Sequence, residues 1–142
     1  MAPSTLNTSM AVTREQVLAL LESDEPDFAE AADWGAEAAA LVEEFARSDD
    51  PYLAAGAVYL AGYIPCEHSV AIVAAAVHHP EPETRIASAE AARQLVRSGL
   101  TVREMAALRP VFQALLHDSD EGVRRVAQRA AEDAGETGGA AG

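Results

Sequence analysis

The sequence predicts an all-α protein: a right-handed superhelix, or solenoid, of three helical hairpins with a helical cap at its N-terminus. Three observations predict this fold. The 142 residues are 49% hydrophobic but only 5% aromatic, so the core is built from Ala, Leu and Val, which suits closely packed helices better than a β-sandwich. Two capping boxes mark helix starts. A motif of small residues recurs along the chain, as expected of a repeat protein.

The helices are predicted from their capping residues and helix breakers, in chain order. Residues 13–16 form a capping box that opens the first helix, and 23–26 end it. A short turn is expected at 27–32, and Pro110 is expected to kink or divide the helix around it. The six remaining helices are predicted at 36–47, 51–64, 66–79, 82–98, 102–117 and 121–134.

These helices form one domain, predicted over residues 13–134. The flanking segments have compositions typical of flexible chain, with a glycine-rich C-terminal end. The predicted parts are a disordered leader (1–12), an N-terminal cap (13–33), three repeats (34–64, 65–98 and 99–134) and a flexible tail (135–142).

An internal repeat relates the second helices of the three hairpins. In each copy an acidic residue stands three positions before a two-residue motif, which is followed by small residues spaced at three and three. The copies are Leu53-Ala54-x-x-Ala57 after Asp50, Thr84-Arg85-x-x-Ser88 after Glu81, and Val123-Arg124-x-x-Ala127 after Asp120.

Over residues 34–134 this pattern resembles HEAT repeats, in particular the short HEAT-like repeats first named in phycobilisome lyases. The signature of that family is an Asp in the turn, then Val-Arg, then spaced small residues. The third copy matches it well. The second copy has Glu81 and Thr84 in place of Asp and Val, and the first has Ala54 where the signature has Arg.

The resemblance implies that the acids and arginines of the motif are structural. In related repeats they form hydrogen bonds across turns and between neighbouring units, as buried or half-buried pairs that align the stack. Residues 13–33 would then cover the otherwise exposed apolar face of the first repeat. The residues to which we assign this structural role are Asp50, Glu81, Arg85, Asp118, Asp120 and Arg124.

The charge of the chain is strongly negative, −13 at neutral pH. Residues 1–50 hold 12 acids against two arginines, which argues against a general nucleic-acid binder. Five closely spaced acids form a candidate patch for a basic protein partner, with a solubility role as the competing interpretation. They are Asp24, Glu25, Asp27, Glu30 and Asp33.

The three tyrosines of the protein fall on one predicted helix, 51–64. At 100° per residue Tyr52, Tyr59 and Tyr63 lie within about 40° of one another. In helical-repeat proteins the second helix of a pair commonly lines the concave face, so the stripe is a candidate binding platform. The alternative is that the rings fill space against the next repeat.

Metal and catalytic sites are not predicted. Cys66 and His79 lie at opposite ends of one predicted helix, roughly 20 Å apart, which removes Cys66, His68, His78 and His79 as a single metal site. The chain has no Gly-x-Ser-x-Gly, phosphate-loop or His-Glu-x-x-His motif. We therefore expect no enzymatic activity and no cofactor.

The sequence thus predicts a protein that acts by binding, most simply as a protein-interaction module or adaptor. Two alternatives stay open: an inhibitory partner of the immunity or antitoxin type that blocks a basic protein, and an accessory protein that holds a small molecule in a concave groove. A single cysteine fits a reducing cytoplasm. No segment reaches the ~20 apolar residues that a spanning helix needs, so no membrane association is expected.

Overall fold

The computed structural model describes residues 12–135, and 73% of these residues are helical. No strand occurs within this range, which confirms the all-α fold class. The leader predicted for 1–12 and the tail predicted for 135–142 lie outside the described residues, apart from Val12 and Gly135.

Seven α-helices and one 3₁₀ helix occur in the described part of the chain, and each α-helix begins within one residue of its predicted start. They are α1 (Arg14–Leu21), the 3₁₀ helix (Phe28–Asp33), α2 (Ala36–Ala46), α3 (Pro51–Ala61), α4 (Glu67–Ala76), α5 (Pro82–Ser98), α6 (Val102–Leu116) and α7 (Glu121–Asp133).

Capping bonds explain several of these starts. Thr13 and Thr101 each form a complete capping box. The side chains of Asp50, Cys66 and Asp120 accept hydrogen bonds from backbone N–H groups in the first turns of α3, α4 and α7. Because each bond spans only two or three residues, the sequence alone predicts these boundaries well.

Two helices end three residues earlier than predicted, and one expected break is absent. α3 ends at Ala61 and α4 at Ala76, each three residues early, and tighter turns with hydrogen bonds between residues i and i−3 follow them. Pro110 is predicted to kink or divide its helix, and a division is wrong, because α6 runs through it. Pro110 lies on the exposed face, where water can solvate the carbonyl group that its ring leaves unbonded.

The helices form two layers of three. The hairpins are α2–α3, α4–α5 and α6–α7, and the first helices of the hairpins pack on one another, α2 on α4 and α4 on α6. The second helices form the other layer, with α3 on α5 and α5 on α7. Each hairpin is therefore packed against its neighbour in sequence, as in a solenoid.

Small residues allow the second helices to approach closely. A Cβ added at Gly62 would lie 2.8 Å from the Cα of Ala91, on α5. Fully buried alanines on these helices fill the interface between the layers and between neighbouring hairpins. They include Ala54, Ala57, Ala61, Ala87, Ala89, Ala92, Ala127 and Ala131.

The N-terminal cap packs against the first hairpin through α1, which contacts α2 and α3. Val17, on α1, is fully buried. The Arg14 guanidinium lies 4.9 Å from the centre of the Phe45 ring and is paired with Glu44 at 3.2 Å. The cap thus covers the apolar face of the first hairpin.

Candidate functional site

The five acids of the predicted patch lie on the cap, between the end of α1 and the end of the 3₁₀ helix. All five are exposed. None of their side chains forms an ion pair with any residue between 12 and 135, and their charges therefore stay uncompensated by the described chain. These residues are Asp24, Glu25, Asp27, Glu30 and Asp33.

Three of the five acids border an open groove of about 460 Å³ on the cap. Glu25, Asp27 and Glu30 line it together with Trp34, whose side chain is half-buried, and α1 supplies Leu20. Carboxylates beside an aromatic ring suit the cationic side chain of an Arg or Lys, which is attracted by the negative charges and by the face of the ring. We call this site the acidic groove.

Two carboxylates of the last helix, α7, are by contrast paired with arginines. Asp133 accepts from Arg97 at 2.6 Å and from Arg93 at 3.3 Å. Glu121 is paired with Arg125 at 3.1 Å. The surplus of negative charge is therefore concentrated on the cap, as the sequence predicts.

The three tyrosines do not share one environment. Tyr52 is 74% exposed at the start of α3. Tyr59 is half-buried, and burial, followed by the charges of Glu90 and Glu83, raises the pKa of its phenol. Tyr63 lies beyond the end of α3, so its placement on the same helix is wrong, and its ring meets Phe28 edge-on with centroids 5.9 Å apart. The tighter turn after Ala61 and the contact with the cap move Tyr63 out of the helical stripe.

Arg85 and Asp118 are joined by two hydrogen bonds between the second and third hairpins. We call this pair the clamp, and we call the contact between these two hairpins the second junction. Arg85 Nε donates to Asp118 Oδ2 at 2.8 Å and Nη2 to Oδ1 at 3.2 Å. The side chains are only 13% and 8% exposed. The two hydrogen bonds are bidentate, and both side chains are largely shielded from water. This pair is therefore stronger than a surface ion pair.

The pKa of the Asp118 carboxyl lies below its ordinary value. Burial favours the neutral form, but the Arg85 hydrogen bonds, the backbone N–H of Asp120 and the charges of Arg85 and Arg124 outweigh it. Folding therefore favours the ionised form of Asp118, and its charge contributes to the stability of the fold.

The other signature residues act locally. The side chains of Asp50 and Asp120 cap α3 and α7, accepting from Tyr52 N and Val123 N, each at 2.9 Å. Glu81 precedes α5, but its side chain makes no capping bond within the described residues. The longer Glu side chain does not fold back onto the first turn as Asp does.

Arg124 differs from its expected environment. Its Nη1 donates to the backbone oxygen of Asp118 at 2.7 Å, but the residue is exposed. The expectation that Arg124 is buried or half-buried is therefore wrong. Arg85 is covered by the turn of the next hairpin, whereas no further hairpin within residues 12–135 covers Arg124.

A second cavity, of about 450 Å³, lies between the first and second hairpins. We call the contact between these two hairpins the first junction. Its floor is apolar and includes Val58 and Ile72, and its rim is polar. The rim residues include Glu43, Arg47, Ser48, Asp49, His79 and Glu81. We call it the junction cavity.

Sequence reasoning missed the junction cavity, although a signal for it was present. Ala54 stands where the other two hairpins have an arginine, and His79 stands where the third hairpin has Asp118. Both partners of the clamp are thus replaced at the first junction. Aligning the turns as well as the helices of the repeats would have exposed the double substitution.

The candidate metal ligands are dispersed. His68 Nε2 lies 2.9 Å from Glu43 Oε1, and this hydrogen bond, with Arg47 beside it, holds the pKa of Glu43 below its ordinary value despite partial burial. His79 Nδ1 accepts from Glu81 N at 3.1 Å. Cys66 caps the N-terminal end of α4, whereas His79 lies beyond its C-terminal end. Among residues 12–135, no three His, Cys, Asp or Glu residues are grouped so as to hold a metal ion.

The two-layer stack of helical hairpins and the clamp between turns define the class of the protein as a helical-repeat solenoid. The family of HEAT repeats matches the chain over residues 38–132, about two thirds of its length. The chain belongs to the HEAT-repeat family. The match is to HEAT repeats in general and does not single out the phycobilisome-lyase type. No curated protein and no solved structure matches the chain.

The helices of the described part are also short or polar in relation to a lipid bilayer. None of those between residues 12 and 135 is long and apolar enough to cross a membrane.

Proposed function

We propose that the chain is a non-catalytic, cytoplasmic protein-interaction module that binds a basic protein partner through the acidic groove of its cap. The observation that carries this proposal is the contrast between the five exposed, unpaired carboxylates of the cap and the arginine-paired carboxylates of the third hairpin. Membership of the HEAT-repeat family supports a binding role, because its repeats commonly serve as protein-interaction scaffolds.

The physical argument is one of charge complementarity. Like charges held close together repel and destabilise the free protein, so a partner that supplies Arg or Lys relieves that repulsion when it binds. Trp34 adds an aromatic surface at the same place. Such a surface accelerates association and selects basic partners, while the net affinity depends on the contacts around it. An inhibitor that blocks a basic target protein is one form of this function.

The partner is identified by cross-linking and mass spectrometry on the full chain in the native cell, and binding is then measured with the purified pair. The test variant is Asp24→Asn, Asp27→Asn, Glu30→Gln, which removes three unpaired charges. The matched control is Glu37→Gln, Glu67→Gln, Glu83→Gln, which removes three exposed charges from first turns outside the cap.

We expect the test variant to lower the association rate about tenfold or more, and the control to change it much less. The wild-type association rate is also expected to fall steeply between low and physiological salt. An association rate that responds to neither salt nor the test variant would leave the acidic cap as a solubility device and overturn the proposal.

A further inference from the structure

The turns of the three hairpins share one local arrangement, which makes their residues directly comparable. Ser48, His79 and Asp118 occupy the same position in successive turns. In each, the side chain accepts a hydrogen bond from the backbone N–H two residues later, at 3.0, 3.1 and 2.9 Å respectively. The first junction can therefore be compared with the second residue by residue.

The second junction shows how this fold binds a guanidinium group. Arg85 Nη1 donates to the backbone oxygens of His79 and Pro80, at 2.8 and 3.1 Å, six and five residues earlier in the chain. The remaining nitrogens bind the carboxylate of Asp118 in the next turn. Arg124 Nη1 likewise donates to an oxygen six residues earlier, that of Asp118.

At the first junction the same acceptors are present and the arginine is absent. The residue equivalent to Arg85 is Ala54, which is fully buried and offers no donor beyond its backbone. The backbone oxygens equivalent to the acceptors of Arg85 belong to Ser48 and Asp49. Both of these residues line the junction cavity, and so does His79, the equivalent of Asp118.

Negative charge surrounds this position even though the turn aspartate is missing. Asp49 and Glu81 lie on the rim, and neither side chain is ion-paired within the described chain. Glu43, also on the rim, is already engaged by Arg47 and His68. The lining of the cavity thus includes two carboxylate residues without an ion pair among the described residues, and it includes Ser48 and Asp49, the equivalents of the two residues whose carbonyl oxygens bind Arg85.

We propose that the junction cavity binds the guanidinium group of an arginine side chain from a partner protein, in the place that Arg85 fills at the second junction. This inference rests on the proposed function and adds a second, chemically specific contact to it. The occupant is assigned to a partner because Arg47, the arginine on the rim of the cavity, is already paired with Glu43 at 3.1 Å.

The preference for Arg over Lys follows from geometry. At the second junction the guanidinium makes four hydrogen bonds in a planar fork, to two carbonyl oxygens and two carboxylate oxygens. An ammonium is a compact point charge and cannot reach such widely separated acceptors at once. The apolar floor of the cavity suits the methylene stem of the arginine.

The first experiment uses the isotopically labelled full chain and two blocked tripeptides, acetyl-Ala-Arg-Ala-amide and acetyl-Ala-Lys-Ala-amide. We expect the arginine peptide to shift the backbone amide resonances of Asp49, Asp50 and Glu81 in a saturable way. The lysine peptide is expected to bind at least fivefold more weakly. Equal responses to the two peptides, or shifts confined to the acidic groove, would overturn the proposal.

The second experiment fills or neutralises the cavity. Ala54→Arg supplies an intramolecular guanidinium, and we expect it to abolish binding of the arginine peptide and to raise the thermal midpoint by about 3 °C or more. Since that variant buries a large side chain, Asp49→Asn with Glu81→Gln serves as an independent test and is expected to weaken binding about tenfold. The matched control, Glu15→Gln with Glu37→Gln, is expected to leave it within twofold.

The two proposals fail in different ways. If a protein partner binds through the acidic groove but neither Ala54→Arg nor the double variant changes its affinity, the guanidinium site is refuted and the proposed function stands. If the molecular mass in solution doubles and Ala54→Arg prevents this, the occupant is a second copy of the chain, and the assignment to a different partner is overturned.

Discussion

The two junctions between hairpins differ in the contacts between their neighbouring turns. The second junction is fastened by the clamp of Arg85 and Asp118, which joins the turns of neighbouring hairpins. Among the described residues no such clamp joins the turns of the first junction, where a cavity is lined by Ser48, Asp49 and His79. A hydrogen bond between Glu43 and His68 joins α2 to α4 at this junction. Its hairpins are held at the other end of α3, where Gly62 lets the chain approach Ala91 closely.

The comparison shows that the polar clamp is not required for stacking. Burial of apolar surface between the layers is the dominant force at both junctions, and the clamp adds orientation and stability at the second. A repeat protein can therefore lose the clamp at one junction and keep its fold, which leaves polar backbone groups available for binding.

The largest effect is expected from Arg85→Ala. This change removes the partner of a carboxylate that is only 8% exposed, and we expect it to lower the free energy of unfolding by about 3 kcal/mol. Chemical denaturation measures it. As a control, Arg97→Ala removes an exposed pair with Asp133 and is expected to cost less than about 1 kcal/mol. Equal costs for the two variants would contradict the importance of the clamp.

Gly62→Ala tests the close approach at the first junction. The φ angle of Gly62 is −62°, so alanine suits its backbone, but the new Cβ would lie 2.8 Å from a backbone atom of Ala91. We expect a loss of about 2 kcal/mol from the forced separation of α3 and α5. The control is Gly56→Ala, whose Cβ would meet only a side-chain atom of Leu21 at 3.4 Å. A neutral Gly62→Ala would show that the junction tolerates a wider spacing.

A fall in pH is expected to destabilise the folded protein through its carboxylates, including that of the clamp, and not through its apolar core. The pKa values of Asp118 and Glu43 are lowered in the folded protein, so both groups bind protons more readily when the chain unfolds. Their contribution to stability is present above the ordinary carboxyl pKa and is lost as the pH falls from about 4 through the folded-state values.

The urea midpoint at pH 7 and pH 3 measures this loss. Because Arg85 is a principal cause of the lowered pKa of Asp118, Arg85→Ala is expected to flatten the pH dependence. An unchanged pH dependence in that variant would place the responsible carboxylates elsewhere in the molecule.

Thr84→Val is expected to stabilise the protein by about 1 kcal/mol. Thr84 occupies the valine position of the repeat motif and is fully buried, and its Oγ1 has no hydrogen-bond partner among the described residues. Replacing the hydroxyl with a methyl group removes the cost of burying an unpaired polar atom. Ser88→Ala is the contrasting variant, because its hydroxyl donates to Val73 O at 2.9 Å. It is expected to destabilise the protein.

The smallest effect is expected from Arg124→Ala. Its guanidinium is exposed and binds one backbone oxygen, so we expect a cost of about 0.5 kcal/mol or slightly more. Arg85→Ala is measured in the same denaturation assay. The difference between the two variants in free energy of unfolding is the contribution of the Asp118 carboxylate and of burial. A cost equal to that of Arg85→Ala would mean that the carbonyl contact alone stabilises the turn.

The helices were largely predictable because the signals that fix them are short-range. The boundaries of α5, and the starts of α1, α6 and α7, follow from caps and prolines that act within one helical turn. The concentration of acids on the cap was also evident from the sequence. The acidic groove was not, because Trp34 and the carboxylates meet only when the chain folds back after α1.

The sequence by itself determined the all-α class, the repeat and the positions of the signature residues, since each depends on residues that are neighbours in the chain. Only the tertiary structure decided what those residues do. Arg85 and Arg124 have the same local motif and bind the same kind of carbonyl oxygen. Arg85 becomes half of a nearly buried clamp because the next hairpin places Asp118 over it, whereas Arg124 stays in solvent. At the first junction, where Ala54 stands in place of the arginine, a cavity lies between the two stacked hairpins. Burial and clamping depend on residues brought together from distant positions, and the local pattern of a repeat carries no information about which neighbour will cover it.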